Sequence, residues 1–195
     1  MDYDFAGLQP TLIDAVARLR SAFDRFGIQY ALIGGLAIGS RSRPRSTKDV
    51  DILLAVPQIK LPGLLDDLIE QGFTIDVRSV IEGFVQHHIT LFEYRGVRID
   101  WLKPAVAAYQ HILDQASEAL VFGQPVRVAT AEGLIVLKLT ASRPQDTADI
   151  AALLASNRGR LDLTWIEQEW CTLFELDDPR WLRFQEAIRE YYERK

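Results

Sequence analysis

Apolar and polar positions follow two rhythms along this chain, and the switches between them mark its elements. Leu12, Ala15, Val16, Leu19, Ala22, Phe23 and Phe26 recur at helical spacing, so 11–26 reads as an amphipathic helix, with Gly27 placed to end it. Residues 28–33 form an apolar strand run that stops at Gly34–Gly35, and a short helix or turn begins near Leu36. A second strand covers 49–55, and a helix covers 61–71 after Pro62. FTIDVRSV is a strand candidate. The alternation over 85–94 and the run 97–102 read as two strands around an Arg95–Gly96 hairpin turn. A helix at 105–117 follows, then a short strand pair, 119–122 and 125–128, around Gly123.

From Thr130 onward the pattern is helical. Thr130 is a capping residue, Pro144 ends one helix and opens the next, and 163–176 and 179–194 form two more. The chain therefore divides near residue 129 into an α/β region, 1–129 including its N-terminal helix, and a helical subdomain, 130–195. No internal repeat marks the sequence. The C-terminal aromatics Trp165, Trp170, Phe174, Trp181, Phe184, Tyr191 and Tyr192 read chiefly as core of the helical part.

Composition narrows the function. A chain of 195 residues with 48% hydrophobic positions has enough apolar surface for a packed core. The formal net charge of −5 argues against a non-specific nucleic-acid coat, which needs many phosphate neutralisations. The single cysteine, Cys171, excludes an intrachain disulfide. The acidic start MDYDFAGLQP lacks the basic and apolar regions of a signal peptide, and no apolar run approaches a membrane span of about 20 residues. The expected location is the cytoplasm, with no membrane partner.

The candidate chemistry lies in IGGLAIGSRSRPRSTKDVDILL. A strand alternates its side chains, so Asp49 and Asp51 share one face while Val50 and Ile52 take the other. Two adjacent carboxylates repel unless a cation or proton stands between them, and hard oxygens suit magnesium. Gly34 and Gly35, at the end of a strand and the start of a helix, let backbone N–H groups approach a phosphate. Ser40 could add its hydroxyl or serve only as a helix-end residue. Arg41, Arg43, Arg45 and Lys48 lie between the glycines and the aspartates, either as a solvated loop or as a positive rim; position favours Arg45. In GVRIDWL, Arg98 and Asp100 face away from Val97, Ile99 and Trp101. A third carboxylate on a neighbouring strand is what a two-ion phosphoryl-transfer site requires. His87 and His88, read as strand neighbours, face opposite ways and make no metal pair, while His111 reads as a helix-surface residue.

Gly34–Gly35, the run Arg45-Ser-Thr47-Lys-Asp49-Val-Asp51, and Asp100 after an apolar strand resemble the nucleotidyltransferase superfamily typified by DNA polymerase β. EGLIVLKLTASRPQDTADIAALL resembles the stretch after the catalytic domain in minimal nucleotidyltransferases, especially AbiEii-type toxins, with Lys138, Arg143, Asp146 and Asp149 at the matching positions. The resemblance implies an α+β fold: a polymerase β-like core, with a mixed sheet flanked by helices, and a C-terminal helical subdomain. It implies a two-metal enzyme that moves an NMP from an NTP to a hydroxyl. Asp49, Asp51 and Asp100 would bind two Mg²⁺ ions and carry catalysis. Gly34, Gly35, Ser40, Arg45, Thr47 and Lys138 would bind the nucleotide, Lys138 through a phosphate or an acidic cluster. Arg143–Asp146 reads as a structural ion pair near the site. The acceptor would be an RNA end such as tRNA or a protein side chain, and a cognate antitoxin would be a partner. A small-molecule antibiotic acceptor and an inactive nucleotide-binding regulator are the alternatives.

Overall fold

The structure, a computed structural model, describes residues 5–44 and 46–193. Helix α1 (Phe5–Phe26) leads into β1 (Gln29–Ile33) and then directly into α2 (Gly34–Arg41). Strand β2 (Asp49–Ala55), α3 (Leu61–Glu70) and α4 (Val77–Glu82) come next, followed by β3 (Ile89–Tyr94) and β4 (Val97–Leu102). Helix α5 (Ala107–Asp114) precedes β5 (Ser117–Val121) and β6 (Gln124–Val128). Four helices close the chain: α6 (Ala131–Ala141), α7 (Pro144–Ser156), α8 (Leu163–Cys171) and α9 (Pro179–Ala187).

The strands form one six-stranded mixed sheet in the order β3-β4-β2-β1-β6-β5. β2 runs antiparallel to β1 and parallel to β4. The central strands of the sheet share one apolar face. Tyr30, Val50, Ile52, Leu54, Ile99 and Trp101 are buried there, and α1 packs on it, with Phe23 centred 4.9 Å from Tyr30 and 5.9 Å from Trp101. Burying each such large side chain stabilises the fold by roughly 2–3 kcal/mol. This face also sets the register. A slip of one residue in β2 would send Val50 and Ile52 to the open side and drive Asp49 and Asp51 into the apolar layer. The hydrophobic set that selects the pairing therefore also fixes where the carboxylates point.

Several sequence expectations need correction. FTIDVRSV forms no strand. Thr74 makes only an isolated bridge to Glu93, and the Asp76 side chain accepts from the Ser79 N–H at 3.1 Å, capping α4. Residues 83–87 form a turn of π-helix, and His88 ends it with φ 61°. His87 and His88 therefore lie before β3 and are not neighbours along a strand. The hairpin turn at Arg95–Gly96 is present, with positive φ at both residues. The helix expected over 163–176 is shorter, ending at Cys171, whereas the one expected over 179–194 runs through α9 and on into a π-helical turn, Ile188–Tyr192. Trp170, Trp181 and Phe184 are buried, as their core reading required. His111 is half-exposed, but its Nδ1 lies 2.9 Å from Oε1 of the buried Glu169, joining α5 to α8.

Candidate active site

Asp49 and Asp51 project, partly exposed, from the other face of β2, which is covered further along at Leu53. In the parallel ladder to β4, Asp51 stands opposite Asp100 and Asp49 opposite Arg98. Neighbouring strands run about 4.8 Å apart, so the Asp51 and Asp100 side chains leave the sheet side by side. Asp100 is largely covered, its side chain 17% exposed. The three predicted acids thus come from two adjacent strands and share one face.

Across the other ladder, Ile33 stands opposite Asp51. The chain then turns straight into α2 through Gly34, whose φ of +66° suits glycine. A Cβ at Gly34 would lie 1.9 Å from Asp51 Oδ2, so only hydrogen fits beside this carboxylate. Ile33, at the N-cap of α2, supplies no side-chain acceptor. The N–H end of a helix, which favours negative charge, therefore opens next to the acidic row.

The electrostatics are unbalanced. Burial first, then the nearby Asp100 and Asp49 carboxylates, push the pKa of Asp51 up to about 6, against the smaller opposing fields of Lys138 and Arg143. Arg98 touches the row directly: its Nε donates to Asp100 Oδ1 at 2.8 Å. Its side chain is 52% exposed.

The other predicted residues fall into two groups. Gly35, Ser40 and Thr47 line a cavity of about 470 Å³ together with Leu36, Leu120 and Phe122. The Ser40 hydroxyl donates to the Ala37 carbonyl at 2.9 Å, the bond of a helix-end residue. Arg45 lies outside the described residues. Arg41 belongs to the scaffold: its guanidinium reaches the Ala129 and Val128 carbonyls at 3.0 Å and Ser117 Oγ at 2.8 Å. Lys138 is buried, with its Nζ 2.8 Å from both Asp146 Oδ1 and Asp149 Oδ2. Asp146 also accepts from the Arg143 backbone N–H at 2.9 Å and from Arg143 Nε at 3.1 Å. Burial works against the Asp146 charge, yet the hydrogen bonds from Arg143 and Lys138 outweigh it and hold its pKa below the usual carboxylate value. This cluster locks the start of α7 onto α6, and its positive members reach Asp51 only through their fields. Arg98 as the partner of Asp100 was not foreseen, although strand alternation already put both on one face.

Among the described residues, no three acidic or histidine side chains are drawn together closely enough to cage a metal ion as they stand, and Asp100 is turned towards Arg98. The donor chemistry nevertheless fits a hard divalent cation. The acids supply oxygen ligands only, and a cation would relieve the repulsion of Asp51 by Asp100 and Asp49 that adds to the effect of its burial.

The fold is similar to that of an antigenic nucleotidyltransferase-like protein from Paracoccidioides brasiliensis, with TM-score 0.52 and 17% identity over 94% of each chain. It is also similar to the lincosamide antibiotic adenylyltransferase LnuA, solved with lincomycin bound, with TM-score 0.50 and 14% identity over 69% of this chain and 91% of that one. The mixed α+β architecture is thus that of nucleotidyltransferase-fold proteins, as the sequence pattern implied. No family model matches the chain, and no curated protein matches it in sequence. Among the described residues, no helix is long and apolar enough to cross a membrane.

Proposed function

We propose that this chain is a nucleotidyltransferase that moves an NMP from an NTP to a hydroxyl group. One observation carries the reading: three carboxylates from adjacent strands share an open face beside a helix that starts on glycine. Asp49 and Asp51, with Asp100, would hold divalent ions. When bound, such ions activate the attacking hydroxyl and neutralise the leaving pyrophosphate. The chain's own groups do the rest. The backbone N–H groups at Gly34 and Gly35 orient the phosphates, and Thr47 and Ser40 line the adjoining cavity. Asp100 takes the proton of the acceptor hydroxyl as its oxygen bonds to the α-phosphorus and the bond to pyrophosphate breaks. Such transfer rests mainly on positioning and charge stabilisation, so few further residues are needed.

The resemblance of the Lys138–Asp149 block favours an RNA end or a protein side chain as acceptor, in a toxin with a cognate antitoxin. The fold likeness to LnuA favours a small hydroxylated antibiotic. Incubation with each labelled NTP, Mg²⁺, and total RNA, cell lysate or lincomycin separates these readings by which molecule takes the label. Label in none of them, under conditions where the protein is folded and binds Mg²⁺, would defeat the transferase reading.

A further inference from the structure

The acidic row already contains one cation. Arg98 sits on the row's own face, directly across from Asp49 in the β2–β4 ladder, and its Nε is bonded to Asp100 Oδ1 at 2.8 Å. The hydrogen bond it donates to Asp100 first, and more weakly the fields of Asp49 and Asp51, favour its charged form. All three acids thus act on a single guanidinium.

That guanidinium bonds one of the three acids, at Asp100 Oδ1, while Asp49 and Asp51 share its face of the sheet. A divalent ion brings twice the charge and takes oxygen ligands at about 2.1 Å for Mg²⁺. Arg98 holds Asp100 Oδ1, so an ion that takes this oxygen must displace the guanidinium, and two cations so close would repel. Arg98 is half-exposed, so its long side chain can swing into water with little loss of packing.

We propose that Arg98 is a resident counter-cation of the acidic row, displaced when a divalent ion binds, so that metal loading and release of the Arg98 guanidinium are one exchange. The inference rests on the proposed function for its choice of ligands. It adds a residue which weakens metal binding while holding the metal-free row together.

Mn²⁺ titration of the full chain, followed by the electron paramagnetic resonance of free Mn²⁺, tests it. Arg98→Ala should bind Mn²⁺ roughly fivefold more tightly than wild type, the scale of losing one half-exposed ion-pair competitor, and Arg98→Lys should stay near wild type. In wild-type protein, the Arg98 Nε–H resonance should shift as Mg²⁺ is added. Unchanged or weaker Mn²⁺ affinity in a folded Arg98→Ala, or an Nε–H signal indifferent to Mg²⁺, overturns the exchange while leaving the transferase reading intact. Wild-type Mn²⁺ affinity in Asp49→Asn/Asp51→Asn overturns both, because the acids would then not be the metal's ligands.

Discussion

Two acidic clusters lie within each other's electrostatic reach and are built in opposite ways. Around Lys138, two buried carboxylates share one buried ammonium, and Arg143 adds a second cation to Asp146. Charge is matched and hydrogen bonds are short, as burial demands. Along β2 and β4, the half-exposed Arg98 guanidinium pairs with Asp100 alone of the three carboxylates, and the most enclosed of them, Asp51, has its pKa pushed up to about 6 by burial and by the other two acids. The matched cluster reads as scaffold. The unmatched one is unfavourable for the metal-free fold unless something positive arrives, and that is the mark of a ligand site.

The comparison can be broken in several places. Replacing Asp49 and Asp51 together by Asn should lower nucleotidyl transfer by more than about a thousandfold, on the scale of removing metal ligands from a phosphoryl-transfer site, while the melting temperature does not fall. Labelled-NTP assays and calorimetry on the same preparation check both halves. Lys138→Ala should do the reverse. Leaving Asp146 and Asp149 buried without their ammonium costs about 3–5 kcal/mol, readable as a lowered urea midpoint; a variant as stable as wild type that only loses nucleotide affinity would reverse the roles given to the two clusters. Gly34→Ala should cost about 1–3 kcal/mol, from strain at positive φ and from displacement of the Asp51 carboxylate, and it should weaken Mn²⁺ binding at the same time.

The smallest effect depends on pH. The folded pKa of Asp51, about 6, lies above the ordinary aspartate value of 3.8, so the native state binds the extra proton between those values. Its contribution to stability is intact below about pH 4 and lost as pH rises towards 6 and beyond. In EDTA, Asp51→Asn should therefore be more stable than wild type at pH 7.5, by about 1–2 kcal/mol, and no more stable near pH 4. Urea unfolding at the two pH values measures the difference. Saturating Mg²⁺ should remove the advantage, because the ion stabilises the wild-type carboxylate.

Much of the acidic row was legible because it depends on short-range rules. Alternation places Asp49 with Asp51, and Arg98 with Asp100, with no tertiary information, and the glycine pair at the end of a strand marks where α2 begins. What alternation could not supply was the pairing of β2 with β4, which turns two separate strands into one acidic face. The Lys138 cluster was harder still. Its partners lie on the next helix, and only the packing of α6 against α7 shows that an ammonium in an apolar run is buried. The misread strand at 73–80 has a local cause: Thr74 and Ile75 fit an extended pattern, but Asp76 captures the Ser79 N–H and starts a helix. The expected strand over 85–88 fails similarly, since a π-helical turn ends at the left-handed His88.

The ladder of β2 has an arithmetic consequence for insertions and deletions. Adding one residue between Thr47 and Asp49 while the apolar layer holds its partners leaves the acids where they are and puts the surplus into the loop. The same addition between Val50 and Asp51 gives odd phase: either Asp51 enters the apolar layer as Ile52 leaves it, or Asp49 enters as Val50 leaves. Two added residues restore even phase and return Asp51 to the open side, about 6.6 Å further along the strand, out of step with Asp100. Length variation in this strand is therefore filtered by parity first and by alignment with β4 second.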